Sequence, residues 1–96
     1  MKLLFEWDEN KARSNLSKHR VSFDEAKTIF SDPLLLTYRD DGHFEQEERT
    51  ISIGLSTQYR LLLVVHTEHK LHNDTMIIRI ISSRKATAAE RKHYEN

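Results

Sequence analysis

Two nearly uninterrupted apolar runs in the second half of the chain, RLLLVVHT at 60–67 and TMIIRIIS at 75–82, limit what it can fold into. A strand that is apolar at successive positions presents hydrophobic side chains on both faces, so it belongs inside a sheet that is covered on both sides. Each run is far shorter than the roughly 20 residues needed to cross a bilayer as a helix. The second run carries a single cation, Arg79, in the middle of an Ile-rich strand. Alternation puts Thr75, Ile77, Arg79 and Ile81 on one face and Met76, Ile78, Ile80 and Ser82 on the other. A desolvated, unpaired guanidinium is costly, so Arg79 needs either a carboxylate partner, for which Glu48 is the candidate, or a surface that receives an anion.

The remaining segments supply the cover. Lys2 to Glu6 reads as a short strand, after which Asp8 caps a helix to about His19 whose apolar content, Ala12 and Leu16, is thin. A second helix starts at Ser22, where SFDE forms a capping box with Glu25, and Phe23, Ala26, Ile29 and Phe30 make its apolar face. Asp32-Pro33 ends it. Strands follow at 34–38, 48–55, 60–67 and 75–82, with DDGH as the first turn and EHKLHND as a polar loop before the last strand. In the 48–55 strand Arg49, Ile51, Ile53 and Leu55 share a face, and Gly54 marks a bulge or a close approach. A final helix begins at Thr87 with the capping box TAAE and runs through Tyr94. The order is βααββββα. Short connections between consecutive strands predict an antiparallel meander with the helices outside it, an α+β fold in one domain over residues 1–96.

Composition narrows the function. A hydrophobic content of 38% with 31% charged residues fits a folded globular protein, and the N-terminal segment has no long apolar signal core, so a cytoplasmic location without membrane association is expected. The absence of cysteine excludes disulfides and thiolate catalysis. Lys plus Arg and Asp plus Glu each number 15, so attraction of the whole molecule to nucleic acid is not expected. The distribution is uneven, however. Residues 79–96 hold Arg79, Arg84, Lys85, Arg91 and Lys92 against Glu90 and Glu95, whereas 38–49 hold Arg39 and Arg49 against Asp40, Asp41, Glu45, Glu47 and Glu48.

Within HFEQEER, His43, Glu47, Glu48 and Arg49 bring proton-transfer groups and a guanidinium together at the start of a strand. A His or Glu that moves protons and an Arg that stabilises phosphorane charge are the equipment for metal-free RNA cleavage by attack of a 2′-hydroxyl. The alternative is a charged hairpin. His66, His69 and His72 are spaced by three and raise a second possibility, a metal-dependent nuclease, although a strand and a loop give them no common face.

The ordered segments FEWDENKARSN, KHRVSFDEAKTIF, DP, HFEQEER, ISIGLS, RLLLVVHT and IRIISSRKATAAERKHYE together resemble the BrnT toxin family over nearly the whole chain. The resemblance implies a RelE-like ribonuclease toxin of a type II toxin–antitoxin pair that inhibits translation. It also implies a BrnA-type ribbon-helix-helix antitoxin, a hetero-oligomer with it, and operon control through the antitoxin's contact with operator DNA. By the same resemblance, Arg60, Arg79 and Arg84 bind phosphate and stabilise transition-state charge, Glu48 or His43 accepts the proton, and Lys18, His19, Arg49, Lys85 and Arg91 contact RNA, with no metal or other cofactor. A binding module that has lost catalytic power is the other reading. The sequence departs from the family pattern at Arg20, where a glycine is usual after KH, and at Tyr59 before Arg60.

Overall fold

The computed structural model describes residues 1–40 and 48–96. Its elements are strand β1 (Lys2–Glu6), helix α1 (Glu9–His19), helix α2 (Phe23–Ala26) continued by a 3-10 helix (Lys27–Ser31), strands β2 (Leu36–Arg39), β3 (Thr50–Leu55), β4 (Leu61–Leu71) and β5 (Thr75–Lys85), and helix α3 (Ala88–Glu95). The expected α+β class holds. One strand pair departs from the meander. The sheet runs β1-β5-β4-β3-β2, and β1 lies parallel to β5 while the other pairs are antiparallel. Short connections favour reversal between consecutive strands, but β1 is joined to the sheet through two helices and has no such constraint.

The helices divide the work of covering the two faces. On one side Val21, Phe23, Ala26 and Ile29 pack with Leu62, Val64, Ile78 and Ile80, and Leu3, Phe5, Trp7 and Phe30 border them. On the other, Ile53, Leu61 and Leu63 pack with Leu36, Ile51, Val65, Ala86 and Tyr94, so α3 covers one end of that face. No helix among the described residues is long and apolar enough to cross a membrane. Gly54 is a close approach: a Cβ there would lie 2.8 Å from Leu35 Cδ1 and 3.1 Å from Ile29 Cβ, so the 3-10 helix can sit directly on β3.

Local expectations were met at most caps and corrected at two places. Asp8 accepts from Asn10 N and Lys11 N to start α1, and Thr87 with Glu90 forms the full capping box of α3. At α2 only half of the expected box is made. Ser22 Oγ accepts from Glu25 N at 3.0 Å, but the Glu25 carboxylate turns away to accept from Arg60 and Ser56. The second correction concerns EHKLHND. Most of it is strand: β4 continues to Leu71 because β5 offers a ladder, with His69 opposite Ile77 and Leu71 opposite Thr75.

Arg20 ends α1 in the left-handed region, at φ 58 and ψ 31, with its N–H donating to Leu16 O. A Cβ is penalised in that conformation, and glycine is the residue it favours. Arg20→Gly should therefore raise stability by about 0.5–1 kcal/mol, read as a higher urea midpoint with an unchanged slope. A lower midpoint would mean that the Arg20 side chain contributes more than the strain removes.

His66 is fully buried on the helix-covered face, with Nε2 2.8 Å from Ser52 Oγ, which in turn lies 2.9 Å from Thr37 Oγ1. Phe30 meets its ring edge-on at 5.0 Å. Burial pushes its pKa down to about 4. Between about pH 6.5 and pH 4 the unfolded chain therefore protonates this imidazole and the folded chain does not, so stability falls as the pH falls through that window. The loss amounts to at most about 3 kcal/mol. A His66→Gln variant should show a flatter dependence of melting temperature on pH there. The same slope in both proteins would exclude His66 as its cause.

Candidate active-site cleft

The cleft is built where β1 stops. Its last residue, Glu6, pairs with Arg79, and beyond that point the edge of β5 has no neighbouring strand among the described residues. Asn15 of α1 takes that place. Its Nδ2 donates to Ser83 O at 2.9 Å, its Oδ1 accepts from Ser83 N at 3.0 Å, and Nδ2 also donates to Val21 O. A buried carboxamide with its groups satisfied in this way fixes α1 along the strand edge. One turn later, Lys18 and His19 stand beside Ser82.

A bulge completes the arrangement. The register with β4 shifts between Val65, paired with Ser82, and His66, paired with Ile80, leaving Ile81 without a partner on β4. Strict alternation would put Arg79 and Arg84 on opposite faces; the extra residue brings both to the face away from α2. Ile80 and Ser83 consequently both face the helices, Ile80 within the core and Ser83 bonded to Asn15.

Two hollows join on that face. One, of about 180 Å³, is lined by Lys11, Ser14, Asn15, Lys18, His19, Ile81 and Ser82. The second, of about 300 Å³, contains His19 and Ser82 again and adds Tyr38, Ile51, Leu63, Val65, Ser83, Arg84 and Glu90. The result is a groove with cations along one wall and an imidazole and a guanidinium at its junction. Arg84 donates from Nη1 to Glu90 Oε1 at 2.8 Å and from Nη2 to Glu90 Oε2 at 2.9 Å, and Nη1 also reaches Lys85 O at 3.1 Å. Its Nε donates to no acceptor among the described residues, so part of the guanidinium fork remains available to an anion. The Arg84 hydrogen bonds, with help from Thr87, hold Glu90 down at about 2, which keeps it ionised and a poor proton acceptor near neutral pH. Glu90 in turn raises the Arg84 pKa. Burial, followed by the nearby Glu90 charge, raises Tyr38 above the usual phenol value.

The three arginines expected to share one surface do not all meet. Arg60 points to the helix-covered side, where Nε donates to Glu25 Oε2 at 2.9 Å, Nη2 bonds Glu25 Oε1, and Nη2 also donates to Arg20 O at 3.0 Å. This pair raises Arg60 and lowers Glu25 in pKa, and Arg60 serves to tie the α1–α2 corner to the β3–β4 turn. Arg79 lies on the same face as Arg84 but pairs with Glu6 at 3.1 Å, the carboxylate that the sequence left unrecognised. Glu48 bonds Arg39 at 3.0 Å instead of Arg79, and both are exposed. His43 lies outside the described residues. Arg49 is half-buried just before β3, and its carbonyl accepts from Asp40 N. Lys85 is near Glu25, and Arg91 pairs with Glu95 at 3.7 Å, both away from the groove. His66 faces the helices whereas His69, opposite Ile77, faces the other way, so the His66, His69 and His72 series does not converge.

Tyr38, Glu90, Lys11 and Ser82 were not singled out in the sequence. Glu90 carried a signal as the acidic residue that closes the α3 capping box; the others needed the strand order and the bulge.

No curated protein sequence matches the chain. Among solved structures, the crystal structure of the Brucella abortus ribonuclease toxin BrnT has the same fold, with a TM-score of 0.59, 19% sequence identity, and coverage of 91% of this chain and 99% of that one. The model of the family described as "Ribonuclease toxin, BrnT, of type II toxin-antitoxin system" matches residues 7–90, and the chain therefore belongs to the BrnT family of ribonuclease toxins.

Proposed function

We propose that this toxin cleaves RNA in the cleft between α1, β5 and α3, without a metal ion, by attack of a 2′-hydroxyl on the adjacent phosphorus. The observation that carries this reading is the meeting of His19, Ser82 and the partly open Arg84 fork in one groove whose wall holds Lys11 and Lys18. Arg84 stabilises charge on the phosphorane oxygens, and His19 takes the 2′-hydroxyl proton. The new bond joins O2′ to phosphorus, the bond to O5′ breaks, and the leaving oxygen takes a proton from solvent while His19 holds the one from the 2′-hydroxyl. One product ends in a 2′,3′-cyclic phosphate and the other begins with a 5′-hydroxyl. Lys11, Lys18 and, farther along the same face, Arg79 hold neighbouring phosphates. Arg60 belongs to the framework. Glu48 and His43 precede β3 in the chain and are the alternative proton acceptors to His19.

Membership of a type II toxin–antitoxin family implies an antitoxin partner. In the proposal this is a DNA-binding protein of the BrnA type, the pair represses its own operon through the antitoxin, and the free toxin, a single domain acting in the cytoplasm, stops translation by destroying RNA. Neutral net charge makes free-solution RNA binding weak, so cleavage depends on the local groove and falls with salt. The test is an assay of the purified, antitoxin-free protein on single-stranded RNA in excess EDTA, with analysis of product ends. Cleavage with cyclic or 3′-phosphate ends is expected. Activity that disappears on chelation and returns with a divalent ion, in a protein still folded, would overturn the metal-free mechanism; a folded protein that binds antitoxin and cuts nothing would establish the binding-module reading.

A further inference from the structure

Beside the Arg84 cleft lies a hollow of about 400 Å³ between α3 and strands β2 and β3. Leu36 and Ile53 form its apolar floor, Tyr38 forms one side, and its other lining residues, Glu90 and His93, belong to α3. Tyr38 and Glu90 also line the Arg84 cleft, so the two spaces share a wall. Tyr38 is 41% exposed and stands opposite the half-buried Ile51 on β3, which leaves part of its ring free for contact. Among the described residues the hollow's lining holds no lysine or arginine, so it lacks the guanidinium that receives phosphate next door. Its chemistry suits a flat, largely apolar group with polar edges.

From this geometry we infer that the hollow receives one unpaired nucleobase of the RNA strand whose phosphate rests on Arg84. The inference rests on the RNA-cleaving reading of the cleft and adds to it the source of sequence preference. The base lies on the Tyr38 ring and the Leu36 and Ile53 side chains, and its edge meets His93 and Glu90 at the rim. Among the described residues Glu90 Oε2 accepts from Arg84 Nη2 alone, which leaves a lone pair for an N–H of the base. Sequence-specific RNA recognition commonly takes this form, an unstacked base held against an aromatic face and read at its edge.

The experiment compares the parent with Tyr38→Ala, Tyr38→Phe and Leu36→Trp on a randomised single-stranded RNA pool and on oligonucleotides with a single abasic position stepped past the cleavage site. Thermal melting of each variant accompanies it. The parent should prefer particular bases at one position beside the cut and lose affinity when that position is abasic. Tyr38→Ala should weaken binding by about 5- to 150-fold, the range set by loss of one base–aromatic stack, and should be indifferent to the abasic change. Tyr38→Phe should retain the preference, because the ring is kept. Leu36→Trp, which fills the hollow, should raise KM and flatten the preference. If Tyr38→Ala and Leu36→Trp are folded and keep both the parent's KM and its base preference, no base enters the hollow. Loss of cleavage in Arg84→Ala together with that result would sink the base site alone; full cleavage by Arg84→Ala would sink the RNA-cleaving reading of the cleft.

Discussion

Arg60→Ala should lose about 3–5 kcal/mol of stability, the largest effect expected of any substitution considered for this chain. The partner is a carboxylate almost wholly removed from solvent, with the Glu25 side chain 2% exposed, and Arg60 supplies two of its hydrogen bonds. Among the described residues, Ser56 Oγ, at 2.7 Å, would be the only side chain left to donate to it. Breaking such a pair strands a buried charge, which costs more than the intact pair contributes. Folded domains are held by only about 5–15 kcal/mol, so a large part of the population would unfold under mild stress. Arg60→Lys should rescue little, because an ammonium cannot reproduce the bidentate fork. Urea denaturation decides the matter. A midpoint in Arg60→Ala close to the parent's would show that Glu25 finds water or takes up a proton at little cost. Loss of toxicity in this variant is expected as well, but through unfolding, so a growth assay alone would wrongly place Arg60 in the catalytic site.

Arg84→Ala should behave in the opposite way, losing cleavage by on the order of 100- to 1000-fold while remaining folded. That is the range found when one charge-stabilising donor is removed from an active site. The stability cost should stay within about 1 kcal/mol, because Arg84 and Glu90 are 39% and 22% exposed and surface pairs of this kind contribute little. Glu90 also keeps its bond from Thr87 N, so α3 retains its cap.

These contrasting roles explain how much could be read in advance. The two apolar runs and the caps at Asp8, Ser22 and Thr87 announced the sheet and the helix starts, because hydrophobic period and capping chemistry are local properties. The parallel placement of β1 was hidden, since nothing local says which sheet edge a strand separated by two helices will take. Arg79 was legible as a cation in need of a partner, yet its partner Glu6 becomes visible only once β1 lies beside β5. Arg60 and Arg84 looked alike in sequence as charges at strand ends. A one-residue bulge at Ile81 and a buried Glu25 separate them, and neither is announced by composition or spacing. His19 and Lys18 reach the groove because Asn15 acts as a substitute strand, a role that an asparagine in mid-helix does not advertise.

The most direct measurement is the single-turnover rate of cleavage of one RNA oligonucleotide per folded molecule, for the parent, Arg60→Ala, Arg79→Ala and Arg84→Ala. Normalising to the folded fraction should bring Arg60→Ala back near the parent and leave Arg79→Ala reduced by a few-fold, roughly the loss of one phosphate contact. It should leave Arg84→Ala down by on the order of 100-fold or more. A folded Arg84→Ala that cleaves at the parent's rate would contradict the assignment of the active site to this cleft.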